Sequence, residues 1–217
     1  MPSQLLQINL FTMNNVESKN RVAKLTRKTG ETEVTVFINL DGQGKADIDT
    51  GYKFFDHMLT LLSWFSFFDI SIKLKGNLLN QPDDHHIIED VGITLGQAFR
   101  KAIGQMEWGD VKGLSRYGSF CAPMDECLVM ASVDIYTRGL AIVDLPVTKK
   151  VGDVNCSTLV HFFDAFCEEA RIIINLKTLS TGNEHHLFES AFKSLAKALE
   201  QATRIDPRLL KKVPGKL

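Results

Sequence analysis

Cysteine is scarce in this chain, and the four present, Cys121, Cys127, Cys156 and Cys167, form no CxxC pair. That pattern argues against a zinc knuckle or a disulfide framework, and their apolar neighbours predict buried free thiols. No sign of charge dominates either. Lys and Arg number 25 against 26 Asp and Glu, the formal net charge is −1, and no basic block stands out. A phosphate-backbone footprint for nucleic acid is therefore not indicated, and a small-molecule partner is expected. Long apolar runs are missing, so nothing in the sequence reads as a bilayer span. The amino terminus, MPSQLLQINLFTMNN, lacks a basic n-region and a sustained apolar core, which leads to the expectation of a cytoplasmic protein.

What remains is an ordinary globular composition, 44% hydrophobic and 24% charged over 217 residues. Such a length holds one large domain or two fused halves of about 100 residues, and either can bury a core.

Histidine is also rare, and all of it is patterned. The six are His57, His85, His86, His161, His185 and His186. Four lie in two doublets, DDHHIIED at 83–90 and NEHHLFES at 183–190, each followed by a glutamate, Glu89 or Glu189. The other two lie in similar words, FFDHML and HFFDAF. On a helix the glutamate stands one turn beyond both imidazoles, so a single turn offers three metal ligands. Adjacent side chains diverge by about 100° around a helix, so the two members of a doublet serve different ions and the pair of turns suggests a two-metal centre. A single doublet would read equally well as a solvated helix start. The repetition, with no histidine left for incidental surface use, favours metal ligation.

Along the chain, EVTVFINL at 33–40 reads as a strand ending at DGQGK, whose Asp-Gly signals a hairpin turn. The apolar positions Phe55, Met58, Leu59, Leu62 and Phe65 predict a helix with His57 in an early turn. ISIKLKGN alternates as a strand, NQPDD is a turn, and IIEDVGITLGQAFRKAI is a long amphipathic helix. The second half repeats the order. Strands are expected in SFCAPMDECLVMASVDI and LAIVDLPV, a helix over HFFDAFCEEAR, a strand at IIINLKTL, and a last helix capped by Thr181 or Asn183. In both halves a helix with one histidine leads through a strand to a helix opening with the doublet. We read a tandem duplication, residues 1–106 and 107–217, each half packing helices on one face of an antiparallel or mixed sheet in an α+β architecture.

These words together, with RKTGETEV, LDGQG, TGYKFFDHML, LGQAF, RYGSFCAPMDE and GNEHHLFESAFKSLAKAL, make the chain similar to the imidazoleglycerol-phosphate dehydratase family, lyases of histidine biosynthesis. The resemblance covers almost the full length. It implies a duplicated α+β subunit, Mn2+ as the metal with two ions per active site, and a homo-oligomer of 24 subunits with active sites where subunits meet. Carried onto matching positions, it makes His57, His85, His86, Glu89, His161, His185, His186 and Glu189 the metal ligands. Of these, His57, Glu89 and Glu189 also count as catalytic, with Glu31 of RKTGETEV as an active-site glutamate. Arg116, Arg138, Lys193 and Lys216 would hold the substrate's phosphate.

Departures from the family pattern cluster around the substrate. Leu61 and Phe65 stand where members often carry glutamine and histidine, Tyr136 and Thr137 replace a Ser-Gly before Arg138, and the carboxy-terminal Ser-Thr-Lys-Gly run is reduced to VPGKL. The reaction implied removes water from a glycerol side chain on an imidazole. Two Lewis acids on the ring nitrogens would acidify the imidazole N–H and let the ring expel the neighbouring hydroxyl. Glu31 or a metal-bound hydroxide would then take the carbon-bound proton. Two rival readings are a dinuclear metal hydrolase, since the same turns suit a polarised water, and a non-catalytic metal-binding assembly protein descended from the dehydratase.

Overall fold

The computed structural model describes residues 21–76, 84–104 and 113–210. Its first half opens on β1 (Val22–Lys28), antiparallel to β2 (Thr32–Asn39). Period-two alternation puts Thr32, Val34, Val36 and Ile38 of β2 inside, as a sheet with one covered face requires. Next come β3 (Ala46–Asp49), α1 (Lys53–Ser66), β4 (Asp69–Gly76) and α2 (His85–Ile103). The strand order is β1-β2-β4-β3, with β3 and β4 parallel, so the sheet is mixed.

The DGQGK segment is not a hairpin. β4 takes the place beside β2, and the turn carries the chain over its end, where Asp69 accepts from the Gln43 and Lys45 amides at 2.8 and 2.9 Å. β1 and β3 escaped the sequence reading because β1 is an edge strand studded with Lys24, Arg27 and Lys28, and β3 spans only four residues.

The second half repeats this plan. β5 (Tyr117–Met124), β6 (Cys127–Ile135), β7 (Leu140–Asp144), α3 (Cys156–Ala170), β10 (Ile172–Ser180) and α4 (Glu184–Ala202) form a sheet of order β5-β6-β10-β7 beneath two helices. The extra pieces are a small hairpin, β8 (Lys150–Val151) and β9 (Val154–Asn155), and a 3-10 turn at Pro207–Leu210. Pro123 is tolerated because β5 is an edge strand. α3 begins at Cys156, ahead of the expected start at His161, so His161 sits in its second turn as His57 does in α1. Asn183 is the cap of α4, its side chain accepting the His185 amide at 2.8 Å. All of the NQPDD turn but Asp84, and the expected boundary between residues 106 and 107, lie outside the described residues.

The two halves exchange helix partners: α1 packs on α4 and α2 on α3, so the four helices form one layer between the sheets. Its centre is aromatic. Phe162 is fully buried and meets Phe55 at 5.3 Å, Phe163 at 5.5 Å and Phe192 at 5.7 Å, joining three helices across the halves. The helix starts are also tied across halves. Asp153 accepts the first amides of α1, Lys53 and Phe54, at 2.7 and 3.0 Å. Buried Asp84 accepts from Thr158 at 3.0 Å and from the Asn155 side chain at 2.9 Å, at the start of α3. Three cysteines are buried as expected, but Cys121 is exposed. Its strand alternates, and Ala122 takes the inward position.

Candidate metal centres

The exchange of helix partners places the single histidine of each half beside the other half's doublet. In α1 the apolar positions Phe54, Phe55, Met58 and Leu59 are buried, which leaves His57 on the rim of the layer. There it meets α4. His57 Nε2 lies 3.2 Å from Glu189 Oε1, and His185 Nε2 lies 3.1 Å from the same oxygen, one turn earlier on α4. The other oxygen accepts from Lys193 Nζ at 2.6 Å. One ligand atom from each of His57, His185 and Glu189 falls within a 4.8 Å group. Phe54 packs beneath the His185 ring at 5.0 Å and fixes its plane. Burial alone would push the Glu189 carboxyl up, but hydrogen bonds from Lys193 and His57 outweigh it and hold the group down at about 2.

α2 and α3 build the counterpart. The His85 and His161 rings are 5.3 Å apart, and His85 Nε2 lies 3.7 Å from Glu89 Oε2. The two glutamates differ in setting. The Glu89 side chain is 46% exposed and that of Glu189 10%, and Glu189 is paired with Lys193.

The second member of each doublet turns away from the first, with ring planes at 71° for His85 and His86 and 83° for His185 and His186. Each meets a glutamate at a strand-turn tip. His86 Nδ1, enclosed by protein, lies 2.7 Å from Glu31 Oε2 at the β1–β2 tip, off the alignment of a hydrogen bond. His186 Nδ1 lies 3.1 Å from Glu126 Oε2 at the β5–β6 tip, and its Nε2 lies 3.7 Å from Asp125 Oδ2. The Asn183 amide foremost holds the Glu126 carboxyl down at about 2. Sequence reasoning missed Glu126. The tips recur at a different spacing from the doublets, and only superposing one hairpin on the other would have exposed the pair.

The residues expected to hold phosphate scatter. Arg116 closes a two-pronged ion pair with Asp134, at 2.7 and 3.1 Å, between the rings of Tyr117 and Tyr136. Its backbone amide reaches Ala202 at the far end of α4, roughly 25 Å from His185 at 1.5 Å rise per residue. Arg138 is exposed in the loop from β6 to β7. Lys193 is the counter-ion of Glu189 and sits 5.8 Å from the centre of the Phe65 ring, one of the departing positions. Leu61, the other, is buried in the core. Lys216 lies outside the described residues.

Imidazole nitrogens and a carboxylate oxygen converging at the distances of the His57, His185 and Glu189 group suit a divalent first-row cation, so these residues fit a metal ion. The fold and these centres define a class, a two-repeat α+β enzyme with histidine–glutamate centres on its helical layer.

Comparison with known proteins gives the family. A family model described as imidazoleglycerol-phosphate dehydratase matches residues 50–199. Among relatives so named, that of Psychrobacter sp. (strain PRwf-1) is 44% identical over 93% of this chain and 94% of its own length. That of Clostridium botulinum is 43% identical over 88% and 94%. A crystal structure of the dehydratase from Staphylococcus aureus superposes with TM-score 0.71 at 32% identity, covering 85% of this chain and 99% of that one. The Pyrococcus furiosus structure gives 0.71 at 35% identity, covering 85% and 96%. The chain belongs to the imidazoleglycerol-phosphate dehydratase family. Its activity is that of a hydro-lyase of histidine biosynthesis acting on imidazole glycerol phosphate.

Proposed function

We propose that this dehydration runs at two Mn2+ ions per active site, held by the two clusters and the diverging histidines of the doublets. The carrying observation is the convergence of His57 and His185 on one oxygen of Glu189; on the opposite pair of helices the His85 ring lies 5.3 Å from that of His161, and its Nε2 lies 3.7 Å from Glu89. His86 and His186 supply further nitrogens. When bound, the ions supply Lewis acidity that makes the imidazole N–H of the substrate a stronger acid.

The chain's own residues do the rest. The acidified ring N–H gives up its proton and the neighbouring hydroxyl leaves with it as water, while Glu31, exposed at its turn tip beside His86, takes the carbon-bound proton of the glycerol side chain and returns it to the ring. The enol so formed becomes the ketone. Lys193 keeps Glu189 ionised. Arg116 and Arg138 bind phosphate together with Lys193 and Lys216. The distance of Arg116 from the histidines of its own chain supports active sites shared between chains, with the arginines of one subunit serving the ions of another. We infer a homo-oligomer of 24 subunits in the cytoplasm, and two half-repeats meeting near residue 106. No helix among the described residues is long and apolar enough to cross a membrane.

The test is incubation of metal-free protein with imidazole glycerol phosphate, with and without manganese. Ketone product that needs manganese is expected. Release of inorganic phosphate would point to a hydrolase, no product at all to a binding protein, and equal turnover without metal would overturn the metal reading.

A further inference from the structure

We propose that Glu126 is the positioning residue for His186: its carboxylate accepts the imidazole Nδ1–H and so presents Nε2 as the donor to a divalent cation. The inference rests on the metal reading above. Glu126 stands at the β5–β6 tip where Glu31 stands at the β1–β2 tip, but it is Glu126 that is aligned for a hydrogen bond: its Oε2 lies 3.1 Å from His186 Nδ1, whereas the 2.7 Å approach of Glu31 to His86 Nδ1 is off that alignment.

Glu126 is also anchored on three sides. The Asn183 amide donates to its Oε1 at 2.6 Å, and the Ser180 hydroxyl donates to its backbone carbonyl at 2.7 Å. A Cβ added at Gly182 would lie 2.1 Å from its Cγ, so only glycine lets the loop close over it. Asn183 also caps the turn carrying His185 and His186, which ties the carboxylate and both rings to one rigid start of α4. An ionised carboxylate has no proton to give, so the hydrogen between Oε2 and Nδ1 belongs to the ring, and in the neutral imidazole that a metal requires Nε2 is then the nitrogen with the lone pair. Asp125, 3.7 Å from Nε2, adds negative charge on the donor side.

Glu126→Gln discriminates. Its amide oxygen still accepts from Asn183, but its NH2 then faces Nδ1 and donates, which moves the ring hydrogen to Nε2 and blocks the metal. Calorimetric titration of the metal-free full chain with Mn2+ should find one class of site weakened about 10- to 100-fold, with the melting temperature of the metal-free protein unchanged. Gly182→Ala, which keeps the carboxylate but displaces it, should weaken the same class. A titration like the parent's overturns the proposal. So does uniform weakening of all sites with a lower melting temperature, which is the mark of a purely structural contact. His186→Ala separates the two levels. If it binds Mn2+ like the parent, the metal reading and this inference fall together; if it loses a site that Glu126→Gln keeps, only this inference falls.

Discussion

Glu189 and Glu89 occupy equivalent places in the duplicated sequence, yet their surroundings assign them different costs. Glu189 is 8% exposed and carries the Lys193 ammonium at 2.6 Å, whereas Glu89 faces solvent. The symmetry of the sequence alone predicts equal damage from Glu89→Gln and Glu189→Gln. The structure predicts equal loss of metal but unequal loss of stability. Removing the Glu189 charge strands a half-buried ammonium, at roughly 1–3 kcal/mol. Glu31→Gln should leave metal content and melting temperature alone and cut turnover by about 10²- to 10⁴-fold, the usual worth of general acid–base help. Metal analysis, melting and turnover on the three variants check this, and a Glu31→Gln enzyme as fast as the parent removes Glu31 from the chemistry. The cysteines give a second prediction. Burial first, then the Glu184 carboxylate, pushes the Cys156 thiol up to about 12, and burial pushes Cys167 well above the ordinary range. Both should stay unalkylated by iodoacetamide at about pH 8 in folded protein and react once it is unfolded, as read by mass spectrometry; modification of either in the native state contradicts the packing.

At the scale of elements, the centres depend on how closely helices approach. A Cβ at Gly96 of α2 would lie 2.6 Å from the Phe166 carbonyl oxygen and 2.8 Å from Glu169 Cβ on α3. Neither is a flexible tip, so the helices must part. Alanine is the better helix former by about 1 kcal/mol, and propensity alone predicts that Gly96→Ala stabilises. We expect the clash to win: the melting temperature should fall, and manganese uptake at the His85–His161 pair should weaken. A higher melting temperature with unchanged uptake would show that the two helices have slack. The helix starts act in the same direction. A cap such as Asp153 on α1 contributes about 1 kcal/mol, and because it comes from the other half it also fixes where α1 lies relative to α4.

For the whole molecule, the two halves are held by the aromatic centre and by straps at the rim. One strap is Arg21, which pairs with Asp41 at the end of β2 and donates to the Thr203 carbonyl beyond α4. The Arg21 guanidinium holds the Asp41 carboxyl below its ordinary 3.8. A carboxyl depressed in the folded state adds stability that is present in full above the ordinary value and lost as pH falls through the folded one. Asp41→Asn should therefore lower the melting temperature at neutral pH, and the gap from the parent should close as pH drops below 3.8. A gap independent of pH would assign the effect to something other than charge. Trp64, Phe67, Leu140, Ile142 and Leu179 remain 50–64% exposed on a single chain, a surface consistent with the assembly proposed above.

Much of this protein was legible in its sequence. Periodicity located the four helices, β2, β4, β6 and β10, because each buries one face and that face must recur at 3.6 or 2 residues. The histidine doublets announced the duplication and hence the topology that the two sheets share. Local pattern carries no information about which strand inserts between two others, so the DGQGK turn read as a hairpin when β4 occupied the slot. It was equally silent on partners distant in the chain. Helix exchange sets His57 against Glu189, 132 residues away, and the hairpin tips bring Glu126 to His186. Those contacts come from the closing of two sheets over one helical layer, and only the tertiary structure decides them, because side chains far apart in sequence meet only once the core has packed.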